Sequence, residues 1–259
     1  MNKNQLAAQL YNLRDFCKTA EDLDVSLGKV KKIGYNSVQL SGVGPIPANI
    51  INDLVKKHDL SICATHISLD RYKNDFDNVV KDHKLWNCQY AGLGCMPLEY
   101  LDDLDGIKRF IAEISDIAKK LNDNGLRFVY HNHNFEFRRI DGSKTIMDIL
   151  FEETDKNNFE FLLDTYWVAA GGADPIYWIK KLKNRISVIH LKDMQVERTE
   201  NHGVKQIMCE IMEGNLNWDG ILKECSNSNV KWYAIEQDTC KGDPFDCLKT
   251  SFDNLMKKI

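Results

Sequence analysis

The stretch LDDLDGIKRFIAEISDIAKKLNDNGLRFVYH, residues 101–131, decides the fold. Within Leu101–Asn122 the apolar residues Leu101, Leu104, Ile107, Ile111, Ile114, Ala118 and Leu121 recur at three- and four-residue steps, which gathers them on one face of a long helix. Gly125 closes that helix, since glycine accepts the left-handed backbone common at helix ends. Arg127–His131 follows as a short apolar run of strand length. The unit is therefore helix, glycine, strand.

Outward from this unit the same alternation fills the chain. Short apolar runs at Gln5–Tyr11, Ser37–Leu40, Ser61–His66, Asn87–Leu93, Arg127–His131, Phe161–Leu163, Ile186–Leu191 and Trp232–Glu236 give eight expected strands. Helices are expected between and after them, over Val25–Ile33, Ala48–His58, Thr145–Phe151, Pro175–Leu182, Trp218–Cys225 and Phe245–Lys257. Asp174-Pro175 is a cap followed by proline at the first helical position, and Gly34 ends another helix. Strands alternating with helices imply parallel βαβ units. Eight of them in 259 residues fit one (β/α)8 TIM barrel spanning residues 1–259, with no second domain. No Gly-x-Gly-x-x-Gly follows the first strand, which disfavours a dinucleotide fold, and Gly42-Val43-Gly44 reads as a turn.

Composition narrows the function classes. The 34 Lys+Arg against 38 Asp+Glu leave a formal charge of -4, so no basic face for a nucleic-acid backbone is expected. No apolar run reaches the roughly 18–20 residues that cross a bilayer, and Met1-Asn2-Lys3-Asn4-Gln5 does not open a signal peptide, so a cytoplasmic, membrane-free protein is expected. The 8 cysteines contain no Cys-x-x-Cys pair and no zinc-finger spacing, which reads as reduced, mostly buried thiols.

A barrel places its active site at the C-terminal ends of its strands. His66 closes the third strand. The fifth runs into His131-Asn132-His133-Asn134-Phe135-Glu136, Asp164 ends the sixth, His190 with Lys192 and Asp193 ends the seventh, and Glu236 with Gln237 and Asp238 ends the eighth. Glu136, Asp164, His190 and Glu236 form an oxygen-rich set with one nitrogen donor, suited to a single Mn²⁺, Mg²⁺, Co²⁺ or Zn²⁺. Two carboxylates across a bound sugar also suit paired acid/base work. Each residue has a plainer reading: Asp164 as a helix cap, His190 as a core histidine, Glu236 as a solvated strand end, Lys192 as a strand-end charge. On the alternation of strand side chains His131 and His133 are not both expected to be ligands, one of them packing or orienting the site.

The segments Gln9-Leu10-Tyr11-Asn12-Leu13-Arg14-Asp15, Tyr130-His131-Asn132-His133-Asn134-Phe135-Glu136-Phe137, Leu163-Asp164-Thr165, His190-Leu191-Lys192-Asp193, Glu213-Gly214-Asn215-Leu216-Asn217-Trp218 and Ile235-Glu236-Gln237-Asp238 together resemble the sugar phosphate isomerase/epimerase family, with its xylose isomerase-like TIM barrel. The resemblance spans essentially the whole chain. It implies one divalent metal held by Glu, Asp, His and Glu from the fifth to eighth strands, a carbohydrate substrate, and enediolate chemistry driven by two glutamates, here Glu136 and Glu236. It also implies a homo-oligomer, a dimer or tetramer. Two positions depart from the ketose 3-epimerase pattern. Tyr130 stands where a metal-binding glutamate would lie, so either Glu136 or a histidine such as His133 completes the shell. Trp167 stands where a histidine would follow Asp164, offering a stacking face to a sugar.

The resulting expectation is a metal-dependent isomerase or epimerase of a sugar, sugar phosphate or cyclitol. Glu136 and Glu236 would be its catalytic pair, and His66, His133, Trp167 and Lys192 its substrate contacts. A dehydratase or lyase acting on a keto-sugar or keto-cyclitol uses the same machinery. A non-catalytic sugar-binding barrel and an apurinic-site endonuclease stand further off. The endonuclease would require a histidine at position 167 and an Asp-x-His after the seventh strand, and the sequence has neither.

Overall fold

The computed structural model describes every residue, Met1–Ile259. Its strands in chain order are β1 (Leu6–Gln9), β2 (Ser37–Leu40), β3 (Ser61–His66), β4 (Tyr90–Leu93), β5 (Arg127–His131), β6 (Arg139–Asp141), β7 (Lys144–Thr145), β8 (Phe159–Asp164), β9 (Val188–Leu191), β10 (Asp193–Arg198), β11 (Val204–Cys209) and β12 (Trp232–Ile235). β1, β2, β3, β4, β5, β8, β9 and β12 close into a parallel barrel in that order, β12 returning to β1. The expected eight-stranded barrel is thus the observed one, and three of the eight strands carry the expected ends.

Local differences have local causes. The first helix spans Ala20–Ile33, starting before Val25, because Thr19 and Asp22 form a reciprocal capping box. β4 begins at Tyr90, not Asn87: Asn87 takes a φ of 51° and the Cys88 N–H turns back to the His83 carbonyl. Helices at Leu69–Asn74, Phe76–Leu85 and Thr165–Ala170 were not expected, nor were the antiparallel hairpins β6–β7 and β10–β11. The hairpins rise from the rim after β5 and β9 and carry mostly partly or fully exposed side chains, so they lack the apolar runs that mark the barrel strands.

Strand parity positions the site. A separate buried cluster of Ala7, Cys63, Ala64, Tyr90, Val129, Leu162, Val188 and Ala234 fills the barrel lumen, and the larger core lies between strands and helices. Side chains two residues apart share a face. One step further along each strand, lumen-facing Ala7, Ala64, Val129, Leu162, Val188 and Ala234 therefore give way to Gln9, His66, His131, Asp164, His190 and Glu236. Gln39 pairs with Gln9 in the β1–β2 register and joins the same layer. The lumen is apolar below and almost wholly polar above.

Candidate metal centre and cavity

The polar layer brings four donors together. His131, Asp164, His190 and Glu236 are all buried, and one ligand atom from each lies within 4.8 Å of every other. His131 Nε2 is 3.4 Å from Asp164 Oδ2 and 3.9 Å from Glu236 Oε2, while His190 Nδ1 is 3.7 Å and 2.8 Å from the same two oxygens. Ligands held at about 2.0–2.2 Å around one ion lie roughly 3–4 Å apart, so the set fits a single divalent cation. The outer nitrogens fix the ring orientations. His131 Nδ1 is 2.9 Å from the Gly94 carbonyl and His190 Nε2 is 2.8 Å from Gln39 Oε1, leaving Nε2 and Nδ1 respectively to face the centre.

Asp164 divides its two oxygens between a helix cap and the buried donor group. Its Oδ1 caps the Thr165–Ala170 helix by accepting from the Trp167 N–H at 2.9 Å, while Oδ2 faces the histidines. Its own N–H donates to Asn132 Oδ1 at 3.0 Å. Lys192, fully buried, lies 2.8 Å from Asp238, 3.2 Å from Glu236 and 3.6 Å from Asp164. Burial alone would discharge Lys192, yet Glu236, Asp164 and Asp238 outweigh it and hold the ammonium protonated. A protonated amine so enclosed is an internal counter-ion, not a Schiff-base nucleophile. Burial would likewise raise Asp164 and Glu236, but Lys192 and the histidines bring Asp164 to about 2, and His190 and Lys192 hold Glu236 well below the usual carboxylate range. His190, despite burial, is lifted to about 9 by Glu236 and Asp164. Of the three carboxylates around Lys192, Asp238 alone is raised, by burial and by the Glu236 charge.

Glu136 is not brought into this group. Tyr130 points away from the lumen into the outer core, against Phe110 and Phe159, and its hydroxyl bonds Glu136 Oε1. The other oxygen accepts the His133 N–H at 2.8 Å. The fifth strand's donor is His131, so the centre has two nitrogens and two carboxylates, not one nitrogen. His133 packs instead, stacked on Phe135 with ring centroids 5.3 Å apart and beside Trp167 at 5.2 Å.

Burial pushes the Glu136 carboxyl from 4.5 up to about 8, against the opposing hydrogen bonds from Tyr130 and His133. A raised folded-state pKa means this group's stabilising contribution is complete below about 4.5 and is lost as pH climbs through about 8. Glu136→Gln, a neutral mimic, is therefore expected to match the wild type in thermal stability below about pH 4.5 and to exceed it increasingly as pH rises toward 8. It should keep the bound-metal stoichiometry. Melting curves across pH with metal analysis check both. Loss of metal from this variant would return Glu136 to the ligand set.

Above the centre opens a cavity of about 450 Å³ lined by Ser41, His66, His133, Trp167, Glu236 and Asp238 among others. Three of these residues carry buried nitrogens without a partner, His66 Nε2, His133 Nδ1 and Trp167 Nε1. Buried polar atoms are almost always satisfied, so these three nitrogens around one cavity are free to meet a polar group that enters it. Burial, with His131 beside each, holds His66 well below its ordinary value and His133 at about 3, so both are neutral imidazoles.

Residues 27–245 match the profile of the xylose isomerase-like TIM barrel family. The chain belongs to that family. Among relatives, it is 23% identical over 270 residues to an inosose dehydratase of Mesomycoplasma hyopneumoniae (strain 7448), covering 91% of this chain and 88% of that protein. It shares its fold with a sugar phosphate isomerase/epimerase from Parabacteroides distasonis ATCC 8503, at a TM-score of 0.81 and 18% identity, covering 98% of this chain and 94% of the other. It is also similar to the probable 3-DHS dehydratase of petrobactin synthesis from Bacillus anthracis, at a TM-score of 0.72 and 15% identity, covering 97% and 98%. No helix is long and apolar enough to cross a membrane.

Asp164, His190 and Glu236 converge as the sequence suggests, with His66, His133 and Trp167 on the cavity wall; Lys192 lies behind it among carboxylates. Sequence reasoning missed Asp238 and Gln39 as site residues. Parity along β2 and past β12 was the signal available for both.

Proposed function

We propose that this protein is a divalent-metal-dependent dehydratase of a keto-sugar or keto-cyclitol. The carrying observation is that ionisable carboxylates line the cavity on one wall only, as Glu236 and Asp238, while His66 and His133 are neutral. His131, Asp164, His190 and Glu236 would hold the metal. Two imidazoles in the set favour Mn²⁺, Co²⁺ or Zn²⁺ over Mg²⁺. When bound, the metal supplies Lewis-acid polarisation of the substrate carbonyl.

The chain's own residues then account for proton transfer. Asp238, the one cavity carboxylate with a raised pKa, accepts the proton from the carbon next to the carbonyl. The same carboxylate returns it to the departing hydroxyl on the same face, so a C–H and a C–O bond break, a C=C bond forms and water leaves. Lys192, 2.8 Å from Asp238, orients that carboxylate. His66, His133 and Trp167 hold substrate hydroxyls through their free nitrogens. Inversion at one carbon needs acid/base groups on two opposite faces, which this wall does not offer. The relative named inosose dehydratase, matched over most of both chains, supports the reading.

Isomerisation between neighbouring carbons stands second, because a one-sided carboxylate could also shuttle a proton along one face. Product mass separates the two. Metal-loaded protein incubated with an inosose and a panel of keto-sugars should yield a product lighter by one water. Asp238→Asn should lower kcat by about 10²–10⁴-fold while metal stoichiometry stays unchanged. A product of unchanged mass would favour the isomerase, and no turnover across the panel would leave a sugar-binding barrel.

A further inference from the structure

Beside the cavity that holds Glu236 and Asp238 lies a second, of about 440 Å³. The Gly42–Pro47 loop walls one side; Arg71, Asn78, Asp82 and Trp86 wall the other. The two cavities share Ser41, His66 and Ile67, so the imidazole with the unpartnered Nε2 belongs to both walls. Either space alone sits at the low end of the roughly 300–1,000 Å³ typical of ligand sites, and together they reach its upper part.

The charges of this second chamber are already matched or negative. Arg71 is bound by Asp82 at 2.5 Å and by Asp75 at 3.2 Å, which leaves one guanidinium against two carboxylates. In the first cavity the nearest ammonium, Lys192, is enclosed by three carboxylates. A phosphate in the second chamber would meet no unpaired side-chain cation and a net negative wall. Hydroxyl groups, by contrast, find acceptors in Asp75 and Asp82. They also find donors at the start of the Ala48–Lys57 helix, whose first turn has no side-chain cap. Trp86, half-buried with its Nε1 tied to the Ala48 carbonyl at 2.9 Å, adds an aromatic surface.

We propose that the substrate is a sugar derivative two rings long whose second ring is uncharged and unphosphorylated. The reacting ring lies beside Glu236 and Asp238, and the second ring fills the chamber between the Gly42–Pro47 loop and Trp86. This rests on the reading above that the rim binds a sugar, and it adds the size and charge of what binds.

Calorimetry on the Mn²⁺-loaded protein tests it with glucose, galactose, myo-inositol, glucose 6-phosphate and the disaccharides cellobiose, maltose, lactose and trehalose. At least one disaccharide should bind about tenfold or more tighter than its component monosaccharide. Asn78→Trp, at an exposed position on the second chamber's wall, should abolish that advantage and leave monosaccharide binding unchanged. Asn78→Ala controls for loss of the amide. If no disaccharide outbinds its monosaccharide, or if glucose 6-phosphate outbinds them all, the proposal falls. The dehydratase reading is judged separately, by product mass.

Discussion

Glu236→Gln should abolish turnover and release the metal together, while the barrel stays folded. One oxygen of Glu236 sits 2.8 Å from His190, 3.2 Å from Lys192 and 3.9 Å from His131, so it is the hub of the buried charge cluster. Glutamine keeps the volume and loses the charge. Lys192 retains Asp238 and Asp164 as partners, which is why the fold survives. His190 loses the carboxylate that contributes most to its raised pKa. With a neutral amide in place of one anionic ligand, affinity for the cation should fall by at least the 10–100-fold seen when supporting groups of metal sites are removed. Turnover should fall by about 10²–10⁴-fold or more. Titration with Mn²⁺ or Zn²⁺, circular dichroism and product analysis check the three parts. A variant that binds metal as tightly as the wild type would remove Glu236 from the ligand set, and retained turnover would remove it from the chemistry.

What the sequence disclosed of this site follows from strand parity, and so does what it concealed. Asp164, His190 and Glu236 each end a run of apolar residues, so both their strand and their position at its end could be read. His131 ends the fifth strand in the same manner, two residues after lumen-facing Val129, and parity alone would have selected it. The resemblance drew attention to Glu136 instead, because a carboxylate was sought there. Glu136 lies in a short 3₁₀ turn beyond the strand, and its partner Tyr130 faces the helices, so no rule of strand parity governs where its carboxyl goes. The hairpins escaped for a related reason. β10 and β11 bury few side chains, and a strand without an apolar face leaves no periodic signal. Asp238 was in view at the end of the last strand but lacked a reason to be chosen over Glu236. That reason is its contact with Lys192, which sequence spacing cannot show.

Asp193→Ala is expected to be the most damaging single substitution outside the metal centre. Asp193 begins β10 and is fully buried, and its carboxylate organises the segment that leads from the hairpin back to the barrel. Oδ2 accepts the N–H groups of Met212 at 2.9 Å and Gly214 at 3.0 Å and the Trp218 indole at 2.6 Å. Oδ1 accepts from Met194 at 2.7 Å and Leu216 at 3.3 Å. Gly214 is required for this arrangement, since a Cβ there would lie 2.5 Å from Asp193 Oδ1. This explains why Glu213-Gly214-Asn215-Leu216-Asn217-Trp218 stands out in the sequence although none of those residues lines the cavity. Alanine would strand five donors, the Trp218 indole in a buried setting at a cost of about 1–3 kcal/mol and four partly buried N–H groups at less each. Against a total stability of about 5–15 kcal/mol, the sum is a large share and should loosen the 193–218 segment from the barrel. Asp193→Asn, which keeps one acceptor oxygen, should lose less. Melting temperature, Trp fluorescence and hydrogen exchange across residues 193–218 distinguish these outcomes, and an alanine variant melting within a few degrees of the wild type would refute the anchor. The consequence reaches the chemistry through a single peptide bond. Asp193 follows Lys192, whose ammonium bridges Glu236 and Asp238, so the residue that ties down the rim also fixes the counter-ion of the cavity's two carboxylates.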